Sequence, residues 1–305
     1  MKNKDFLNIA DFSKKELLQL LTLAKKLKSD FKEGSGKPYL KGKTLALIFE
    51  KPSNRTRVSF EVGMYQLGGM AMDIKDFEIK MGERETVADV ARTMSRYVDA
   101  VMIRAFKHET VVEFAKNSNV PVINGLCDMY HPCQAVADIL TVIEKKIKPD
   151  KLRLCYLGDG NNVCHSLMQL VSILEGTMVV GCPKGYEPKM RLGNVAVTHE
   201  PTIAVRNADI VYTDVWTSMG QEEETEKRLQ AFKPFSVTEK LMKYAKSSAY
   251  FMHCLPAHRG EEVEAAVMES PRSIVFDQAE NRLHAQKAIL VTLLNDEAIP
   301  GIIES

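Results

Sequence analysis

Along this 305-residue chain apolar positions follow two alternating patterns. Short continuous runs bounded by turn residues read as strands buried on both faces, and recurrences every three or four residues read as helices. The run Thr44-Leu45-Ala46-Leu47-Ile48-Phe49 is of the first kind. Leu17, Leu20, Leu21 and Ala24, behind Ser13 as a cap, form a helical stripe within residues 14–28. After the strand at 44–49, a helix starts near Ser53 or Asn54 and carries Phe60, Met64, Leu67 and Met70. Then come a helix over 85–97, a strand over 100–103, a helix over 110–116, a strand over 120–124 and a long helix from His131 to about Lys146. The polar stretch 147–151, with Pro149, marks a domain boundary. The alternation restarts with strand 152–157, helix 162–175, strand 178–182, a helix near 201–207 and strand 209–213. Strands near 250–253 and at 273–276 precede a final helix from about Ala279 to Asn295.

This alternation implies the α/β class, with two parallel-sheet α/β domains and an active site in the cleft between them. The expected domains are 1–147 and 148–283, with the helix of 284–305 packing back on the first. In such sheets ligands sit beyond the carboxyl ends of the strands. Most of the polar motifs below fall at those ends.

Composition narrows the partners. With 41 basic and 40 acidic residues the net charge is +1, so nothing electrostatic argues for nucleic acid or an anionic membrane, and any anion must be bound locally. The start, Met1-Lys2-Asn3-Lys4-Asp5-Phe6-Leu7, is charged and no apolar run reaches 18 residues, which implies a cytoplasmic protein. Six cysteines without paired spacing read as reduced thiols.

Ser53-Asn54-Arg55-Thr56-Arg57 opens a helix directly after a buried strand. Free backbone N–H groups, two hydroxyls and a guanidinium there suit a phosphate-sized anion. The same residues also suit an N-capped surface helix. Arg55 and Arg57, two apart, point in nearly opposite directions, so Arg55 is expected on the ligand and Arg57 in an ion pair. Arg104 ends a strand, where a lone arginine is a surface charge unless an anion site lies beside it. His131 and Gln134 share a helix face and can donate to a carbonyl oxygen gaining negative charge; a plain helix start with a capping imidazole reads the same way. In His253-Cys254-Leu255-Pro256, Cys254 as a nucleophile has no acid-base partner identifiable by spacing. A metal set of His131, Cys133, His253 and Cys254 is disfavoured because adjacent strand-end residues diverge. Gly158-Asp159-Gly160-Asn161-Asn162-Val163 lacks the third glycine of a dinucleotide fingerprint, leaving Asn162 at a helix start with its amide available to a small polar ligand. Asp214 offers a carboxylate to an ammonium group, and Ser218 with the Met219 backbone offers donors to a carboxylate, as an α-amino acid would need.

In this order the motifs resemble the aspartate/ornithine carbamoyltransferase family, in its ornithine branch, from the first helix to the last. Ser53 to Arg57 matches its phosphate motif, His131 to Gln134 its His-Pro-Cys-Gln, Asp214 to Gly220 its Asp-x-x-x-Ser-Met-Gly and His253 to Pro256 its His-Cys-Leu-Pro. Glu280-Asn281-Arg282 is similar to its late arginine motif. The resemblance implies carbamoyl transfer to L-ornithine in arginine metabolism, with arginine biosynthesis and breakdown both open. It implies carbamoyl phosphate held by Ser53, Asn54, Arg55, Thr56 and Arg104, with His131, Gln134 and Arg104 on the carbonyl oxygen and Cys254, Leu255 and Arg282 positioning the amide. It implies L-ornithine on Asn162, Asp214, Ser218 and Met219, a homotrimer with active sites between subunits, and no metal or organic cofactor. Two positions depart from the pattern: Asn54 stands where threonine is usual, and Lys80 falls where a glutamine commonly reaches a neighbouring subunit's phosphate. A point charge at Lys80 suits the same anion. The competing readings are transfer to putrescine or an acetylated ornithine, a non-catalytic binder of phosphorylated metabolites and, more distantly, a nicotinamide oxidoreductase.

Overall fold

Strand β1 (Thr44–Phe49) buries Ala46 and Ile48 on one face of a sheet and Leu45 and Leu47 on the other, so its sequence is apolar throughout. The computed structural model describes residues 5–75, 79–217 and 224–304. They divide into two units, Met1–Leu140 with Asn281–Ser305, and Thr141–Glu280.

In the first unit α1 (Lys14–Lys32) opens on a capping box, the Glu16 N–H donating to Ser13 Oγ at 3.3 Å and the Ser13 N–H to Glu16 Oε2 at 2.9 Å. Helix α2 (Asn54–Gln66) follows β1, then β2 (Met70–Lys75), α3 (Val87–Met94), β3 (Ala100–Arg104), α4 (His108–Asn117) and β4 (Val122–Leu126). The four strands are parallel in the order β2-β1-β3-β4. Val90 and Ala91 of α3 and Val111 and Phe114 of α4 pack with Ala46, Ile48, Val101 and Ile103 in one core. Helix α5 (Pro132–Glu144) carries the chain across the unit boundary at Leu140.

The second unit is a five-stranded parallel sheet in the order β7-β6-β5-β8-β9. Its elements are β5 (Arg153–Leu157), α6 (Asn162–Ile173), β6 (Thr177–Gly181), β7 (Val195–Thr198), α7 (Pro201–Ala204), β8 (Ile210–Thr213), α8 (Thr225–Phe232), α9 (Glu239–Met242), β9 (Tyr250–His253) and α10 (Ala265–Met268). Cys155, Leu157, Val211 and Phe251 of the sheet share a core with Ala204, Leu241 and Val267 of the helices. Helix α11 (Val275–Leu294) returns the chain to the first unit, and α12 (Ile299–Ile303) ends it. No helix among the described residues is long and apolar enough to cross a membrane.

Besides helices α8, α9, α10 and α12, which were not expected, three stretches differ from the sequence reading. The helix expected to run on through Leu67 and Met70 stops at Gln66, because Gly68 takes φ 80° and Met70 then pairs with Thr44 as edge strand β2. The strand expected at 273–276 is one isolated bridge from Ser273 to Phe251, after which Val275, 1% exposed, and Phe276, 67% exposed, begin α11. A four-residue apolar run does not distinguish a strand from a helix start. Strand β7 was not expected; it is a short edge strand, and none of its residues is fully buried.

Of the glycines after β5, Gly160 answers to packing. A Cβ on Gly160 would lie 2.2 Å from the Pro188 nitrogen and 2.5 Å from the Glu187 carbonyl carbon, so the passing 187–188 backbone requires glycine there. Gly160→Ala is expected to cost about 1–3 kcal/mol by overpacking, seen as a lowered Tm; an unchanged Tm would show that the 187–188 segment yields freely.

Candidate active site

The strand order of the first unit reverses direction between β1 and β3, and the expected anion site lies at the ends of those two strands. Phe49 is in register with Arg104, and the Glu50 N–H donates to the Arg104 carbonyl at 2.9 Å, which sets Arg104 beside the loop opening α2. That loop borders a cavity of about 550 Å³ that also has Glu50, Asp73 and Lys75 in its wall; Arg55, Arg104 and His131 are not among its lining residues. Ser53 occupies the N-cap position without a side-chain capping bond; its hydroxyl donates to Thr56 Oγ1 at 3.1 Å. Asn54 and Arg55 are exposed and Thr56 is buried. Arg57 turns to Glu61 at 3.1 Å and to Asp73 at 3.9 Å, the ion pairing its spacing implied.

Arg282, 5% exposed on α11, gathers the buried residues. Its Nη1 donates to Gln134 Oε1 at 2.6 Å and its Nη2 to Thr56 Oγ1 at 3.1 Å. Gln134 Nε2 donates in turn to Asp138 Oδ1 at 2.8 Å. Lys28 of α1 donates to the adjacent Asn281 Oδ1 at 2.8 Å. The Cys133 thiol donates to the Asn124 carbonyl of β4 at 3.5 Å, and burial pushes it up to about 12, which leaves it an uncharged packing group.

His131 is buried immediately before α5. Burial first, then the Arg282, Arg104 and Arg55 guanidinium groups, hold its imidazole well below the usual histidine range. It is therefore neutral at neutral pH and keeps one N–H to donate. Lys51, nearly buried with its Nζ 4.6 Å from the Phe106 ring centroid, has a lowered pKa from burial and then from Arg104. These causes mark a region of concentrated positive charge. Lys80 stands exposed in a turn at φ 45°, its carbonyl accepting from the Glu83 and Arg84 N–H groups.

In the second unit the order reverses between β5 and β8, and Asp214 directly follows β8. Asp214 is nearly buried. Its Oδ2 accepts from Asn161 Nδ2 at 2.8 Å, and its Oδ1 from the Val215 N–H at 2.8 Å and the Cys254 thiol at 3.0 Å. Asn161 Oδ1 also accepts from the Cys164 N–H at 3.0 Å, capping α6, and from the Tyr156 hydroxyl at 3.0 Å. Burial first, then Asp214, raises Tyr156 well above the usual range, so it stays a donor. Asn162 begins α6, its Oδ1 accepting from the Val163 N–H at 2.8 Å. His253 Nδ1 accepts the Leu255 N–H at 2.9 Å, which leaves Nε2 to donate to Glu262 Oε1 at 3.0 Å. Asp214, His253 and Cys254 thus bring three possible ligand atoms within 4.8 Å, with both His253 nitrogens committed to other partners. Ser218 and Met219 lie outside the described residues.

The structure brings Thr56, His131, Gln134 and Arg282 of the sequence reading together, and adds the residues that support them. Asp138 and Lys51 in the first unit, and Asn161, Tyr156 and Glu262 in the second, were not singled out. Only Asn161 carried a usable signal, since asparagine before an apolar periodic run is a preferred cap.

A model described as aspartate/ornithine carbamoyltransferase, carbamoyl-P binding domain, matches residues 4–144, and one described as the Asp/Orn binding domain of the same family matches residues 150–293. The chain belongs to the aspartate/ornithine carbamoyltransferase family. It is 52% identical over 306 residues to an ornithine carbamoyltransferase of Anoxybacillus flavithermus, covering 96% of this chain and 98% of that one. The solved ornithine carbamoyltransferase of Pyrococcus furiosus is 50% identical with a TM-score of 0.92, covering 95% of this chain and 96% of that one. The anabolic ornithine carbamoyltransferase of Campylobacter jejuni is 37% identical with a TM-score of 0.91, covering 96% and 100%.

Native His131 refuses a proton that the unfolded chain accepts below its usual value of 6.5. Its neutral state therefore costs the fold nothing above that pH, and stability falls as the pH drops below it, by up to about 1.4 kcal/mol per pH unit. Denaturant unfolding at pH 7 and pH 5 is expected to show a smaller loss for His131→Gln than for the wild type; parallel losses would mean that His131 takes up its proton in the native state.

Proposed function

We propose that this chain transfers the carbamoyl group of carbamoyl phosphate to the δ-amino group of L-ornithine, giving L-citrulline and phosphate. The observation that carries the reading is the neutral His131 set among the charges of Arg55, Arg104 and Arg282. A dianionic phosphoryl group needs the cations, and a carbonyl oxygen gaining charge needs a fixed donor that is not itself an acid.

The first unit is the carbamoyl-phosphate domain, with Ser53, Asn54, Arg55, Thr56, Lys80 and Arg104 on the phosphate. Arg104 and His131 serve the carbonyl oxygen; Gln134, expected there with them, has its Nε2 on Asp138 and its Oε1 on Arg282 and so stands with Arg282 beside the carbamoyl group. Cys254 and Leu255 are assigned to the same substrate. The second unit is the ornithine domain. Asp214, its carboxylate already oriented by Asn161 Nδ2, takes the α-ammonium, and Asn162, Ser218 and Met219 complete that group. The neutral amine attacks the carbonyl carbon, a tetrahedral adduct forms, and phosphate departs with the bonding pair while the amine's surplus proton is released. No electron is gained or lost, so the reaction balances without a cofactor. A lysine-like amine with a pKa of about 10.4 costs roughly 4 kcal/mol to hold neutral near pH 7.4, so turnover rises with pH through the physiological range.

All six cysteines stand as thiols, which fits a reducing compartment, and we assign the protein to the cytoplasm. The anabolic description of the Campylobacter jejuni relative supports arginine biosynthesis. A homotrimer is supported by an exposed apolar face on α2, where Val58, Val62 and Tyr65 share one side and Tyr65 is 81% exposed.

Citrulline formation from carbamoyl phosphate and L-ornithine, run beside putrescine, N-acetylornithine and L-aspartate, tests the reading; turnover with none of them would leave a metabolite-binding protein. Arg55→Ala and Arg104→Ala are each expected to lower kcat/KM for carbamoyl phosphate by well over about tenfold, since each removes a charge-assisted hydrogen bond of about 1.5–3 kcal/mol. Asp214→Ala is expected to act mainly on ornithine, and an unaltered ornithine KM and kcat would reject that role. Sedimentation analysis is expected to give a trimer that Val62→Asp weakens; a wild-type monomer would reject the assembly.

A further inference from the structure

Tyr156 is the aromatic residue of β5. Cys155 and Leu157 join the core on one face of that strand, and Tyr156, fully buried, stands on the other. It is in register with Tyr212 of β8, and the two rings stack with centroids 5.7 Å apart, so the phenol hydroxyl is placed by the sheet and not by a loop. That hydroxyl lies 3.0 Å from Asn161 Oδ1. Which end of the Asn161 amide is the oxygen is settled by Cys164, whose backbone N–H can only donate and stands 3.0 Å from it. The Tyr156 hydroxyl therefore donates, and the other end of the amide, Nδ2, donates to Asp214 Oδ2 at 2.8 Å.

The carboxylate at the end of this chain uses its two oxygens unevenly. An ionised carboxylate accepts at about four lone-pair sites, shared equally between its oxygens. On Asp214 Oδ1 they are taken by the Val215 N–H at 2.8 Å and the Cys254 thiol at 3.0 Å. Oδ2 accepts from Asn161 and keeps a lone pair. The place left for an ammonium N–H is therefore on Oδ2, the oxygen that Asn161 fixes. We propose that the Tyr156 hydroxyl is a positioning and specificity-determining group for the amino-acid substrate, aiming Asp214 Oδ2 through Asn161 at the α-ammonium. This rests on the ornithine reading above and deepens it. The hydroxyl acts in two ways. It puts a second bond on the amide oxygen, so the side chain does not swing about its contact with Cys164, and it polarises the amide, which strengthens Nδ2 as a donor to the carboxylate. Tyr156, Asn161 and Asp214 all belong to the second unit, so the effect is on the acceptor and not on carbamoyl phosphate.

Tyr156→Phe removes the hydroxyl and keeps the ring and its stack. The test measures kcat, the KM of L-ornithine and of carbamoyl phosphate, and the inhibition constant of L-2-aminopentanoate, which has the α-ammonium and carboxylate of ornithine and lacks the reacting δ-amine. Loss of one buried hydrogen bond is expected to raise the ornithine KM and the L-2-aminopentanoate constant together, by about threefold to tenfold, while kcat and the carbamoyl phosphate KM stay within about twofold. Asn161→Ser keeps a cap for α6 but has no amide to reach Asp214, and it is expected to give the same split. Where the phenylalanine variant does not fold, absence of that split in Asn161→Ser overturns the proposal. An unchanged ornithine KM in Tyr156→Phe, equal rises for both substrates, or a rise for L-ornithine without one for L-2-aminopentanoate would overturn it alone. A wild type that makes no citrulline from carbamoyl phosphate and L-ornithine would overturn the functional reading with it.

Discussion

The first unit depends on one guanidinium. Arg282 is nearly buried, and a buried cation is tolerated only where its protons find oxygens. It finds them on Gln134, 148 residues away in sequence, and on Thr56, 226 residues away. Those partners lie in the first turns of α5 and α2, so the charge ties the start of both helices to α11. Asn281, beside it, holds Lys28 of α1 in the same way. The end of the chain is therefore not an appendage of the first unit; it supplies the contact that fixes two of its helix starts. Removing either oxygen would leave donors buried without acceptors, a penalty of about 1–3 kcal/mol for each.

Much of this was legible in the sequence, and the limits have physical reasons. Strands β1, β3 and β5 are buried on both faces, and their apolar runs announced them. Edge strands β2 and β7 were not recognised, because an edge strand keeps polar or half-exposed positions and loses the run that marks a central one. Missing them hid the strand order, and with it the two points where the order reverses, which is where the fold sets its sites. The candidate site residues came from motif and resemblance. Asp138, Lys51 and Glu262 were not, since a buried charge is recognised by what surrounds it and local spacing does not carry that.

Positive charge does two things to His131. It supplies the field for an anion, and it keeps the imidazole neutral by disfavouring a further cation. A neutral donor suits a carbonyl oxygen that gains charge only in the transition state, because it stabilises that state without giving up a proton beforehand. The second unit has the opposite character. The carboxylate that follows β8, Asp214, is fixed by an amide, a backbone N–H and a thiol, so what it offers is negative charge in one orientation. In the turn leading to Asn161, Gly160 is required by the passing 187–188 backbone, so that glycine has a packing reason of its own.

Both units solve one orientation problem with the same device. Gln134 and His253 each have two ends that look alike in shape and differ in hydrogen bonding. In each case a fully buried carboxylate takes the donor end, Asp138 for the amide and Glu262 for the imidazole, and so decides what the other end shows. For Gln134 the other end is an oxygen held beside Arg282. For His253 it is Nδ1, which accepts the Leu255 N–H and thereby fixes the backbone that follows Cys254. Burying a carboxylate away from water is costly, and a fold that did not need the orientation would gain by replacing it with an apolar side chain. Two such carboxylates, one behind each group of site residues, indicate that the molecule spends stability on orienting its polar groups before any substrate arrives.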